Sequence, residues 1–322
     1  MNPSRTFHPP WWSRGGDFQT IWAPFFARSD PVDFRREIWE TPDGDRVAVD
    51  WVDASTDAPV VILFHGLASS SRGHYARSLA AGLRRRGWAG CFINFRGCGG
   101  INNLLPRGYH AGDSAEIRWM LERASALFPR RPRYAVGVSL GGNALLKYLG
   151  EVGDAARKNL ERAAAVCAPI DLVATAEHLQ SSHFRFYNQY FLQKMKASVR
   201  HYKTSYPDLA DWPRVFSAKS VYDFDEYFTA PVHGFSGAVH LWKEGSAAPL
   251  LSRINVPTLL LNSADDPIVP INSLRNVQTS PAVTRCITEQ GGHVGFIDGT
   301  FPGHLRWLPN TLLDYFERKS TP

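Results

Sequence analysis

The feature that most narrows the fold is a pentapeptide, Gly137-Val138-Ser139-Leu140-Gly141, set between two segments of different period. Before it, Tyr134-Ala135-Val136-Gly137 reads as a short strand; after it, residues 144–149 read as a helix stopped by Gly150. A G-x-S-x-G sequence in that setting is a sharp strand-to-helix turn. Its serine takes strained backbone angles, and side chains at the flanking glycines would collide with neighbouring elements. The turn lifts the serine oxygen to the C-terminal edge of a sheet and aims the next helix's N-terminus at it.

The rest of the chain is patterned to supply that sheet. Strand-like stretches at Arg35–Glu40 and 46–53 flank Pro42-Asp43-Gly44, a hairpin signal. Val60–Phe64 is β-branched and apolar on both faces, as a central parallel strand should be. Residues 74–86 put Ala76, Leu79, Ala80 and Leu83 on one helical face before Gly87, and residues 113–128 do the same with Ile117, Leu121, Ala124 and Phe128 before Pro129. Further strands are expected at 88–95, 163–168 and 258–261, and a last helix at 309–318. Alternation with short links predicts a mostly parallel central sheet with helices on both faces.

The rhythm breaks at about 170–250, where Phe184, Phe186, Tyr187, Tyr190 and Phe191 cluster ahead of Tyr202, Tyr206 and Trp212. This stretch is expected to be an inserted, mainly helical cap, with the core in 37–169 and 251–322. Residues 1–36, rich in Pro and Trp, are expected to form an N-terminal arm packed over the core. Trp11 and Trp12 also suit a boundary between water and apolar matter, so a weak membrane-surface contact is a second expectation.

Composition excludes several classes. With 322 residues, 44% of them hydrophobic, the chain can bury a large core. Its net charge of +6 is scattered or sits in short groups such as Arg84-Arg85-Arg86, not in a nucleic-acid arm. Cys91, Cys98, Cys167 and Cys286 form no C-x-x-C pair and are read as buried thiols. No signal peptide and no apolar run of spanning length are seen, so the expected location is cytoplasmic. Nothing in the sequence sets an oligomeric state.

A serine hydroxyl is a weak nucleophile; it needs a base, and the base needs an orienting carboxylate. In this turn's usual setting the chain order is serine, acid, histidine. Asp265-Asp266-Pro267 follows the strand at 258–261, and Asp266 is the preferred acid, with Asp265 capping the turn or facing solvent. Gly291-Gly292-His293 supplies the base on a glycine loop. The oxyanion hole needs two backbone donors. Leu140, next to the serine, and Leu67, in the His65-Gly66-Leu67 loop after Val60–Phe64, are the candidates, with His65 holding that loop. Such chemistry requires neither a metal nor an organic cofactor. Asn94, Arg96, His110 and Asp113 are read as braces beside the nucleophile, and Asp113 also suits a helix N-cap.

With these residues in place the chain resembles the YheT-like branch of the α/β-hydrolases, which includes bacterial esterases and eukaryotic abhydrolase-domain lipases and phospholipases. The resemblance runs from Pro10-Trp11-Trp12 and Gln19-Thr20 through Pro42-Asp43-Gly44-Asp45, Asn94-Phe95-Arg96-Gly97-Cys98, Tyr109-His110-Ala111-Gly112 and Gly137–Asn143 to Gly291–Phe296. It implies the α/β-hydrolase fold, a Ser139–Asp266–His293 triad and hydrolysis of carboxylic esters. One departure is Asp17 before Phe18-Gln19-Thr20, where the family leads one to expect histidine.

The aromatic cap and the lack of charged clamps point to an apolar acyl group, of short-to-medium length or monoacylglycerol-like, in a small-molecule ester or lipid. Two other readings use the same residues: an acyltransferase in which an alcohol outcompetes water, and a catalytically silent binding module. A haloalkane dehalogenase is disfavoured because its nucleophile would be Asp, not Ser139.

Overall fold

The structure is a computed structural model that describes residues 6–181 and 185–318; Phe184 lies outside the described residues. Eight strands form one sheet: β1 Arg35–Glu40, β2 Arg46–Val52, β3 Val60–Phe64, β4 Ala89–Ile93, β5 Arg133–Val138, β6 Arg162–Val166, β7 Thr258–Ser263 and β8 Val283–Thr288. Their order across the sheet is β1-β2-β4-β3-β5-β6-β7-β8. β1 and β2 pair antiparallel through the turn at Pro42-Asp43-Gly44, where Gly44 takes a φ of 84°. β2 joins β4 antiparallel, and all later pairs are parallel.

Period two explains how the sheet holds two cores. Along β3, Val60, Ile62 and Phe64 face one layer and Val61 and Leu63 the other. The first layer packs α3 (Ser114–Leu127) and α4 (Leu140–Val152) through Ile117, Leu121, Leu145 and Leu149. The second packs α2 (His74–Arg86) and the C-terminal helix Trp307–Glu317 through Leu79, Leu83, Leu312 and Phe316. Gly87 ends α2 at φ 69° as expected, and Asp113 caps the start of α3 by accepting from the Glu116 N–H; Gly150, expected as a stop, lies inside α4, which runs on to Val152.

Two segments differ from expectation in extent. α4 begins at Leu140, directly after the serine, instead of near 144. β8 was not foreseen; its Val283-Thr284-Arg285-Cys286-Ile287-Thr288 run lies at the sheet edge. Residues 16–26 of the proline- and tryptophan-rich lead-in form a helix, α1 (Gly16–Phe26). Among the described residues every regular element from β6 to β7 is helical, including α5 (Leu172–Gln180) and α6 (Arg185–Ser198). These helices carry small cores of their own, one around Leu192, Tyr202, Trp212 and Phe228, another around Leu172, Leu241 and Trp242. Among the described residues no helix is long and apolar enough to cross a membrane.

Candidate active site

The parallel strands β3, β5, β7 and β8 end at one edge of the sheet, and the predicted site residues sit on the loops that leave them. Ser139 occupies the turn from β5 to α4 at φ 53°, ψ −121°, a region an L-residue adopts only under constraint. The glycines explain why the constraint is met. A Cβ at Gly137 would stand 2.5 Å from the Gly141 carbonyl oxygen, and one at Gly141 would stand 2.5 Å from the Phe64 and His65 carbonyl oxygens. The turn therefore packs backbone against backbone, which no larger residue allows.

The structure brings Ser139, His293 and Asp266 together. His293 Nε2 lies 2.9 Å from Ser139 Oγ, and His293 Nδ1 lies 2.9 Å from Asp266 Oδ2. Asp266 Oδ1 accepts from the Ile268 and Val269 N–H groups at 2.8 and 3.0 Å. One carboxylate oxygen is thus fixed by backbone and the other faces the imidazole. Asp265, expected to cap a turn or face solvent, is half-buried; its Oδ1 accepts from the Gly292 N–H at 2.9 Å and so ties the acid loop to the histidine loop. Burial raises its carboxyl above the usual range.

The two candidate oxyanion donors are also placed at the serine. Leu140 is the first residue of α4, so its N–H has no acceptor within the helix. Leu67 sits between two clamped neighbours. The Gly66 N–H donates to the Tyr75 hydroxyl at 2.9 Å, and the Ala68 N–H donates to the Tyr109 hydroxyl at 2.7 Å. Sequence reasoning did not single out Tyr75. His65 is buried and neutral: its Nε2 accepts from the Phe95 N–H at 3.0 Å, its Nδ1 lies 2.7 Å from the Gly66 carbonyl, and burial lowers its pKa to about 4. It braces the loop, as expected.

Asn94 and Arg96, two of the other expected braces, are buried in hydrogen-bonded networks. Asn94 accepts from the Ser71 N–H and donates to Ala48 O and Asp50. Arg96 fans out to Glu116, Asp45 and Asp43 at 2.8, 3.1 and 2.9 Å. All four cysteines are buried, and burial holds the Cys167 thiol far above its usual pKa. Cys167, Asp266 and His293 are the one metal-compatible grouping among the described residues. A metal would need the thiolate, which this burial opposes, and would need to displace the imidazole–carboxylate bond.

Two openings meet at Ser139. The inner one is an apolar cleft of about 140 Å³ walled by Leu67, Leu140, Leu179, Met195, Trp242 and Ile268. At its edge lies Asp225, buried, its carboxyl raised to about 6 by burial and accepting from Trp242 Nε1 at 2.8 Å. The outer one, about 380 Å³, opens between α1 and α6 beside His293. Asp17, at the departure from the family pattern, accepts from the Tyr187 hydroxyl at 2.6 Å and so joins α1 to α6.

Comparison with known proteins accords with this geometry. A family profile for the alpha/beta hydrolase fold matches residues 59–300. YheT of Escherichia coli (strain K12) is 35% identical over 305 residues, covering 89% of each chain. Human phospholipase ABHD3 is 30% identical, over 98% of this chain and 79% of that protein. The medium-chain fatty acid ethyl ester synthase/esterase 2 of Saccharomyces cerevisiae is 30% identical, over 81% of this chain and 62% of that protein. Among solved structures, the Pyrococcus furiosus esterase Pf2001 superposes with a TM-score of 0.57 at 17% identity, over 97% of this chain and 98% of that one. The chain belongs to the α/β-hydrolases, in the branch that holds YheT and the ABHD3 phospholipases.

Proposed function

We propose that this protein is a serine hydrolase of carboxylic esters. The observation that carries the reading is the unbroken chain from Ser139 Oγ through His293 to Asp266, two contacts of 2.9 Å at the mouth of an apolar cleft. His293 Nε2 takes the hydroxyl proton as Ser139 Oγ bonds to the ester carbonyl carbon. The carbonyl oxygen, now an oxyanion, accepts from the Leu67 and Leu140 N–H groups. The bond to the alcohol oxygen then breaks, and the alcohol leaves with the proton from His293. Water, deprotonated by the same imidazole, attacks the acyl-enzyme and frees the acid. Asp266 keeps the proton on Nδ1 and stabilises the imidazolium.

The inner cleft takes the acyl chain, because its walls offer aliphatic and aromatic surface and few polar groups. Short-to-medium acyl esters or monoacylglycerol-like lipids suit it. The leaving group faces the outer opening, where Ile21, Phe25, Phe186 and Tyr190 are exposed beside Arg72 and Arg77. Such a rim supports a weak contact with a lipid surface during substrate entry. Flotation with anionic liposomes tests that contact, and an unchanged distribution removes it. The yeast relative's name joins synthesis to hydrolysis, which favours a second reading: the same acyl-enzyme passing its acyl group to an alcohol.

The deciding experiment labels the wild type and Ser139→Ala with a fluorophosphonate and assays p-nitrophenyl esters from acetate to palmitate, with and without ethanol. Labelling and cleavage by the wild type alone support the hydrolase, and the chain-length optimum sizes the cleft. Preferential ethyl ester formation makes it a transferase. A wild type that neither labels nor cleaves refutes both and leaves a binding module.

A further inference from the structure

We propose that α1 is a positioning element of the active site, and that Thr20, supported by Gln19, holds the loop that carries His293. The inference rests on the reading of His293 as the base. The His293 N–H donates to Thr20 Oγ1 at 2.8 Å, and the Thr20 hydroxyl donates in turn to the Gly16 carbonyl at 2.7 Å. Its lone donor is therefore committed within α1, and the hydroxyl meets the histidine loop as an acceptor. One turn of loop further on, the Ile297 N–H donates to Gln19 Oε1 at 2.7 Å. Gln19 is wholly buried, and its Nε2 donates to Ser13 O and Ser13 Oγ at 2.7 and 3.1 Å. Both ends of that amide are used, so its orientation is set by partners on both sides.

The contact is too close to be incidental packing. A Cβ at Gly292 would stand 2.4 Å from Gly16 O and 2.6 Å from Thr20 Oγ1; one at Gly295 would stand 2.5 Å from Gln19 O; one at Gly16 would stand 1.7 Å from Asp265 O. Glycines on both sides let α1, the acid loop and the histidine loop meet backbone to backbone. The histidine loop also needs outside anchors. Val294 and Phe296 stand at φ 60° and 44°, a region that strains a non-glycine residue. An imidazole on such a loop holds its 2.9 Å contact with Ser139 only while the loop is pinned, and the Thr20 bond pins it at His293's own backbone. Thr20 lines the outer opening but bonds to none of the reacting atoms; it acts through the His293 backbone.

The test compares Thr20→Val, which keeps the shape and removes the acceptor, with Thr20→Ser, which keeps the hydroxyl. Each is assayed for kcat and KM on p-nitrophenyl butyrate, for the rate of fluorophosphonate labelling, and for thermal unfolding. Ser139→Ala and His293→Ala serve as references. A displacement of the base by about 1 Å costs roughly 100-fold. Thr20→Val is therefore expected to lose about 10- to 100-fold in kcat and in labelling rate, with KM within about twofold, and Thr20→Ser to recover to within about threefold. If Thr20→Val does not fold, Gln19→Asn, which shortens the acceptor by one carbon, is read in the same way. Wild-type kcat in the folded variant, with both references inactive, overturns the positioning role alone. Activity retained by Ser139→Ala overturns the triad and this inference with it. A fall in kcat that Thr20→Ser does not rescue assigns Thr20 to packing and refutes the hydrogen-bonded role.

Discussion

Replacing Tyr109 by phenylalanine tests how the oxyanion loop is held. The ring stacks on Phe95 with centroids 4.9 Å apart and planes 10° apart, so phenylalanine keeps the packing and removes one oxygen. That oxygen accepts the Ala68 N–H at 2.7 Å. Ala68 sits at φ 49°, a strain of about 1–3 kcal/mol that the clamp holds in place. An unpaired N–H in this setting costs about another 1–3 kcal/mol. Both are relieved if the backbone of the Gly66–Ala68 run rotates, and a rotation that includes the Gly66–Leu67 peptide takes the Leu67 N–H off its target. Losing one oxyanion donor outright costs roughly 100- to 1000-fold in kcat. Partial rotation is expected to cost about 10- to 100-fold in kcat with KM within about twofold, because the clamp matters where charge develops and not where the acyl chain binds. Adding Tyr75→Phe, which frees the Gly66 N–H, should cost less than the two single losses combined, since both phenols hold one run of three residues. The assay is steady-state hydrolysis of p-nitrophenyl butyrate at a temperature where circular dichroism shows each variant folded. A double variant with kcat within about twofold of wild type and a lowered unfolding temperature would refute the reasoning: the phenols would then stabilise the loop without setting the donor.

Asp266→Asn is expected to lower kcat by roughly 1000- to 10,000-fold, because the amide can leave the imidazole in the wrong tautomer, and Asp265→Asn by far less; the opposite ranking in the same ester assay transfers the acid role. Gly292→Ala places a Cβ 2.4 Å from Gly16 O at φ 58° and should lower both unfolding temperature and kcat, whereas Gly108→Ala, with nothing within 4 Å, should leave both near wild type; equal effects would remove the close-approach argument. His65 is buried and His74 half-buried, both neutral, each with its pKa lowered to about 4 by desolvation. The unfolded chain takes up protons near pH 6.5 that the folded one refuses until about pH 4, so stability is full above pH 6.5 and falls as pH drops through that window. Urea midpoints from pH 7.5 to 5 should decline, and a flat profile would deny the buried-neutral state.

The parts of the fold that were legible in the sequence are those in which local pattern and tertiary role coincide. Val60–Phe64 is apolar at every position because both faces of β3 are covered, and the alternation between its two layers follows from the pleat alone. β8 escaped notice for the converse reason. An edge strand can carry Thr284, Arg285 and Ile287 toward solvent, which leaves too little apolar contrast to read. The start of α4 was hidden by Gly141 and Gly142, poor helix formers on propensity. Their presence is explained by what lies outside the helix: the Phe64 and His65 carbonyls against Gly141, and Ala168 and Gly137 against Gly142. Propensity was overruled by sterics from elements distant along the chain.

The same logic separates what was legible at the site from what was not. Ser139, Asp266 and His293 stand out in the sequence because the chemistry proposed for them restricts residue type and their order follows the strands. The sequence reads as an arm packed over the core; the Thr20 bond to the His293 backbone shows where it packs, and the positioning role proposed above would give it a part in the chemistry. No periodicity reports a bond between residues 273 positions apart in which one partner is a backbone N–H. The available signal was chemical: Gln19 and Thr20 stand together on a helix whose inward face would be expected to be apolar, and Gly16 precedes them as Gly292 and Gly295 frame His293. A polar pair on a buried helix face needs backbone partners, and glycines on both sides mark where two backbones meet. Taken together, those two rules confine the partner of α1 to a glycine-rich loop with unpaired N–H groups, and the loop that carries the histidine meets both conditions.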